Sequence, residues 1–77
     1  MTNKEYVLNV LRDHSCLTAN EIKGFILRQE GPSLSPQSIA GIMRPIIAAG
    51  HATKGVNPSN NKTVYWLTRQ GEVHYFG

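Results

Sequence analysis

Thr2-Asn3-Lys4-Glu5 and Thr18-Ala19-Asn20-Glu21 carry the same helix-starting signature sixteen residues apart. In each, the threonine hydroxyl takes the backbone N–H three residues on, and the glutamate reaches back to the threonine N–H. Two donors that a helix otherwise leaves orphaned are satisfied in this way. Leu34-Ser35-Pro36-Gln37-Ser38-Ile39 supplies a third start. Here a capping serine precedes a proline at the first helical position, where the missing N–H costs nothing. Three starts in succession commit the first half of the chain to short helices.

The apolar spacing agrees with those starts. Tyr6, Val7, Val10 and Leu11 recur on one face while Lys4, Glu5, Asn9, Arg12 and Asp13 stay polar, which predicts an amphipathic helix over about 3–14. Ile22, Phe25 and Ile26 form the inward stripe of a second helix over about 19–30, ending near Gly31-Pro32. Ser15-Cys16-Leu17 between them reads as a short connector or a one-residue bridge strand. The third helix, over about 36–49, turns Ile39, Ile42, Met43, Ile46 and Ile47 inward, and Gly50 suits the left-handed residue that ends it.

Pro45 conflicts with this third helix. It deprives the Gly41 carbonyl of its donor and biases Arg44 away from helical angles, at a cost of about 3 kcal/mol in a regular interior. Ile46 and Ile47 keep the stripe in phase, so the expectation is a kinked but continuous helix, with a break near Arg44 as the alternative.

The period changes from His51. His51–Lys54 and Lys62–Leu67, the latter rich in β-branched and aromatic residues, predict a hairpin over about 51–68 with a long tip from Gly55 to Asn61. Thr68-Arg69-Gln70-Gly71 closes it. Glu72–Gly77 is too short to assign between a helical turn and a frayed end.

Seventy-seven residues make one domain, 1–77, and a chain of this size buries only about 60% of its unfolded surface. That leaves no volume for an enclosed cofactor cavity, so neither an elaborate enzyme nor a small-molecule ligand is expected. Cys16 stands alone and cannot form an internal disulfide, no apolar run is long enough to span a bilayer, and the first residues lack a signal-peptide pattern. A cytoplasmic protein without membrane attachment is the expectation.

Catalytic and metal readings find little support. His14-Ser15-Cys16 with His51 and His74 lacks any structural zinc spacing, so surface histidines and a buried small thiol are expected instead of a metal site. Nothing places a base or oxyanion donors near Cys16, and the glycines fit no phosphate-binding spacing. No catalytic residue, cofactor or metal is assigned.

Charge is more informative. The formal net charge is +3. Residues 1–39 balance four cations against four acids, whereas residues 40–77 set Arg44, Lys54, Lys62 and Arg69 against Glu72 alone. The whole excess lies on the late third helix and the residues C-terminal to it. A helical wheel puts Gln37, Gly41, Arg44 and Ala48 opposite the apolar stripe, with Ser38 at the edge. From the residues alone this is either a solvated face or one that reads a ligand.

Four strings, in order, resemble the winged helix-turn-helix superfamily of small prokaryotic, plasmid and phage regulators. Leu17-Thr18-Ala19-Asn20-Glu21-Ile22 resembles the start of its second helix, and Leu34-Ser35-Pro36-Gln37-Ser38-Ile39 the start of its recognition helix. Ile46-Ile47-Ala48-Ala49-Gly50 and Val64-Tyr65-Trp66-Leu67-Thr68-Arg69-Gln70-Gly71 resemble the end of that helix and the closing strand of the wing. The resemblance implies a mainly α fold with a small β-hairpin, ordered α-α-α-β-β. It also implies sequence-specific binding of double-stranded DNA by a transcription regulator.

On this reading Gln37, Ser38, Gly41 and Arg44 face the major groove. Lys54, Asn60 and Lys62 bring the wing onto phosphate or the minor groove. Four cations are few, so specificity is expected to need a homodimer on two half-sites or a partner protein. The connector from Glu30 to Ser35 and Pro45 depart from the usual pattern. They keep open a second reading, a protein–protein module whose apolar surface combines Val56, Trp66, Tyr75 and Phe76.

Overall fold

The computed structural model describes residues 1–77. Three helices, α1 (Asn3–Asp13), α2 (Ala19–Arg28) and α3 (Pro36–Ala48), precede an antiparallel hairpin of β1 (Ala52–Asn57) and β2 (Lys62–Leu67), and a fourth helix, α4 (Arg69–Phe76), ends the chain. The fold is mainly helical with a two-stranded hairpin. No helix is long and apolar enough to cross a membrane.

Both capping boxes form. Thr2 N–H donates to Glu5 Oε1 at 3.0 Å and Glu5 N–H to Thr2 Oγ1 at 3.2 Å, and Thr18 and Glu21 repeat both bonds at the same distances. Ser35 Oγ accepts the Ser38 N–H at 3.1 Å with Pro36 at the first helical position. The apolar stripes of α1, α2 and α3 then meet in one core, with Val7, Val10, Ile22, Ile26, Ile39 and Met43 wholly buried. Leu8 joins it although it lies off the predicted stripe, while Tyr6, Phe25, Ile42 and Ile47 pack at its edge.

α3 is continuous through Pro45. Gly41 and Pro45 are both solvent-exposed, so the carbonyl that loses its donor faces water and not the core. The helix ends as expected: Gly50 is left-handed at φ 79°, Gly50 N–H donates to Ile47 O at 2.9 Å, and His51 N–H to Ile46 O at 3.0 Å.

α2 ends differently. Its left-handed residue is Glu30, at φ 59°, and not the adjacent Gly31. A Cβ on Gly31 would lie 2.6 Å from Ile26 Cγ2 and 2.9 Å from Tyr6 Cε1, so the glycine lets the connector after α2 pass close to both side chains and the strain falls on its neighbour.

The connector between α1 and α2 carries the bridge strand. Leu17 N–H donates to Tyr65 O at 3.2 Å and Tyr65 N–H to Leu17 O at 2.8 Å, so β2 is held on one side by β1 and on the other by Leu17. Cys16, expected to be buried, is exposed at φ 58°, because the chain turns sharply there to present Leu17 to β2. The hairpin pairs Ala52 with Leu67 through Asn57 with Lys62. Gly55, Val56 and Asn57 are therefore strand residues, and the tip is only Pro58–Asn61, shorter than the predicted Gly55–Asn61. Asn57 Oδ1 accepts the Ser59 N–H at 2.9 Å, a side-chain turn that lets the strands pair to their ends.

Residues 69–76 are helical, both Arg69-Gln70-Gly71, read from sequence as closing the hairpin, and the unassigned residues after them. Thr68 caps α4 by accepting the Gly71 N–H at 3.1 Å, while its own hydroxyl donates to Gly50 O at 2.7 Å and its N–H to His51 O at 3.1 Å. Farther along, Tyr75 Oη lies 3.1 Å from His51 Nδ1, His51 stacks on His74 at 4.2 Å, and the Lys4 ammonium sits 5.2 Å above the Tyr75 ring.

Partial desolvation, then the neighbouring His74 and Lys4, hold the His51 imidazole below its ordinary pKa. The unfolded chain therefore takes up this proton first, so the contribution is whole above the ordinary imidazole range near 6.5. It falls as pH drops through that range and levels off below the folded value. Melting at pH 7.5 and at pH 5.5 should show a lower Tm in acid, and His51→Gln should narrow the difference.

Candidate nucleic-acid interface

Gln37, Ser38, Gly41, Arg44, Lys54, Asn60 and Lys62 are all exposed. α3 supplies the first four because its inward face, Ile39, Met43 and Ile46, is consumed by the core. That fixes the helix rotation and leaves Gln37, Gly41, Arg44 and Ala48 pointing out. The hairpin supplies Lys54 from β1 and Lys62 from the start of β2, on either side of the four-residue tip.

No acidic residue occurs in α3, β1 or β2, and the single ion pair of the protein, Arg12 with Asp13 at 3.3 Å, lies on α1. Arg44, Lys54 and Lys62 thus carry three positive charges without a carboxylate partner. Lys54 lies on the hairpin face that carries Tyr65 and Leu67 and Lys62 on the face that carries Val64 and Trp66, so the two straddle the hairpin, and with Arg44 they give adjoining elements an unpaired positive charge suited to a polyanion.

Two of the seven residues have less freedom than the sequence implies. Ser38 Oγ accepts from Ser35 Oγ at 2.9 Å, so the α3 cap already uses one of its lone pairs. Asn60 Oδ1 accepts the Lys62 N–H at 3.0 Å, which leaves the amide nitrogen as its free group, a donor suited to phosphate or to a minor-groove acceptor. Trp66 is half-buried over β1. A Cβ on Gly55 would come within 3.0 Å of Trp66 Cη2, so the glycine accommodates the indole.

Gly41 is different. A Cβ there would meet no neighbouring group within 4 Å, so packing does not require the glycine. A glycine inside a helix costs about 1 kcal/mol relative to alanine. Its position on the exposed face beside Arg44 fits a surface that another molecule's backbone approaches closely. Gly24 of α2 is equally unobstructed, and no feature of the sequence pattern had marked it. Gly41→Ala and Gly24→Ala are each expected to stabilise the fold by about 0.5–1 kcal/mol in urea unfolding; if the outer face of α3 receives a duplex, only Gly41→Ala also weakens that binding. Equal binding by both variants would remove Gly41 from the interface.

The apolar residues of the second reading do not share one surface. Val56 and Trp66 point to opposite faces of the hairpin, since Thr53 pairs with Trp66 and strand side chains alternate. Tyr75 and Phe76 lie on α4 against α1, Tyr75 on His51 and Phe76 beneath the Arg12 guanidinium at 4.9 Å. The histidines are dispersed as well. His14 stacks on Phe25 at 4.1 Å and His51 on His74, with no group of three or more His, Cys, Asp or Glu side chains. Neither a family model, nor a curated protein, nor a solved structure matches the chain.

Proposed function

We propose that this chain is a small winged helix-turn-helix protein that binds double-stranded DNA and regulates transcription. In this reading α3 lies in the major groove and the hairpin is the wing. The observation that carries it is the set of three exposed cations, Arg44, Lys54 and Lys62, on a helix and hairpin that hold no acid. The order of three helices, a hairpin and a bridge from Leu17 to the hairpin supports the same reading.

Each group has a defined task. Gln37 offers a bidentate contact to adenine and Arg44 to guanine, and Gly41 and Ala48 let the helix approach the bases and thymine methyls. Lys54, Lys62 and the Asn60 amide hold the hairpin on the phosphodiester backbone, which sets register but carries no sequence information.

Binding of a random duplex as salt is raised tests this directly. The affinity should fall with a log–log slope of about −2 to −3, as expected when two or three phosphates are neutralised. Absence of binding at low salt defeats the proposal. A selection of bound sites from random DNA then identifies the sequence read by α3.

A further inference from the structure

A second surface, made of α1 and α4, has its own chemistry. Val73 is 63% exposed and Phe76 36%, although both belong to a helix docked on the core. They border a groove between the two helices. One end is lined by Glu5, Leu8, Asn9, Tyr75 and Phe76, and the other by Arg12, Glu72, Val73 and Phe76. Phe76 is common to both ends and so marks the middle. On α1, Glu5 and Arg12 lie seven residues apart, which places them two turns apart, about 10 Å, on one face.

We propose that this groove is the interface of a homodimer, occupied by the same groove of a second copy. A two-fold axis passing between Leu8 and Asn9 sets the two α1 helices antiparallel. Glu5 of each copy then faces Arg12 of the other, and Phe76, beneath its own chain's Arg12 guanidinium, lies between the two pairs. An isologous interface requires this self-complementarity, an acid and a base at equal distances on either side of an apolar centre.

Both charged groups have spare valence. The Glu5 carboxylate uses Oε1 for its own cap at 3.0 Å, leaving Oε2 free. The same bonds to Thr2 hold its pKa below the usual range, so it stays ionised. The Arg12 guanidinium engages Asp13 through Nε at 3.3 Å and lies 4.9 Å over its own Phe76 ring, which leaves its terminal nitrogens free to donate.

Other occupants fit less well. Lys4 and Arg12 stand among Glu5, Asp13 and Glu72, a mixed set that gives no attraction to nucleic acid or to an anionic lipid surface. None of these residues belongs to α3 or the hairpin, so the dimer leaves that surface open and does not depend on the DNA reading.

Sedimentation of the full chain over a wide concentration range tests the interface. The expected result is a reversible species of twice the 8.5 kDa chain mass. Val73→Glu, at an exposed site where folding is unaffected, should give a single-chain mass. Arg12→Glu sets like charges face to face and should weaken the dimer at least about tenfold. Glu5→Gln, which keeps the cap bond through its amide oxygen, should weaken it as well, with circular dichroism to confirm the helices in each variant. A single-chain mass at every concentration overturns the proposal, as does a dimer indifferent to Val73→Glu or to Arg12→Glu. Arg44→Ala, which tests the DNA reading, should leave the dimer unchanged, so either idea can fail alone.

Discussion

Gly71→Ala is expected to destabilise the protein by about 2–4 kcal/mol and to release α4 from the body of the fold. The added Cβ would lie 1.8 Å from the His51 carbonyl oxygen and 2.6 Å from its carbon. Neither can withdraw. His51 N–H is bonded to Ile46 O at the end of α3, and its carbonyl accepts from Thr68. Relief therefore has to come from α4, which would forfeit the Thr68 cap and the seat of Tyr75 on His51. Overpacking of 1–3 kcal/mol and loss of a cap worth about 1 kcal/mol give the stated range. For a domain of this length, whose total stability is roughly 4–12 kcal/mol, that is a large share. Urea unfolding and the rate of proteolysis after Thr68 measure it. Unchanged stability would show that α4 does not pack as described.

Arg44→Ala and Lys62→Ala should differ in kind. With Arg44 bidentate to a base, its loss costs about 1–3 kcal/mol of specific binding, roughly a 5- to 150-fold drop, and relaxes preference at one position of the site. With Lys62 on phosphate, its loss weakens all duplexes alike and reduces the salt slope by about one. Competition binding with specific and random duplex at two salt concentrations separates these outcomes. If Arg44→Ala leaves both affinity and preferred sequence intact, α3 does not read bases through this residue.

Much of the fold could be read from residue order because its signals are local. A capping box needs four residues, and a helical stripe needs two turns. Pro45 was legible in the same way once Ile46 and Ile47 showed that the inward face continues past it. α4 was not. It has eight residues, its apolar members Val73, Tyr75 and Phe76 give no stripe, and its cap Thr68 looks like the end of a turn. Its docking rests on a residue without a side chain, and sequence periodicity does not register a missing atom.

Glu30 escaped for a related reason. Gly31 is the residue that local rules would make left-handed, but a tertiary contact with Tyr6 and Ile26 reserves it. In the candidate interface the exposed face of α3 follows from the wheel. That Ser38 and Asn60 each spend an oxygen on a local bond does not, since both bonds depend on the turn actually adopted.

Gly50 and His51 are the two residues at which α3 ends, β1 begins and α4 takes hold, through bonds to Ile46, Ile47 and Thr68. Three elements joined at one dipeptide leave little play between the outer face of α3 and the hairpin. The angle between them is set when the chain folds, so a ligand gripped by both meets a ready-made caliper. Affinity for such a ligand then responds to substitutions at this joint even though neither residue touches it, because slackening the joint returns to binding an entropy cost that folding had already met.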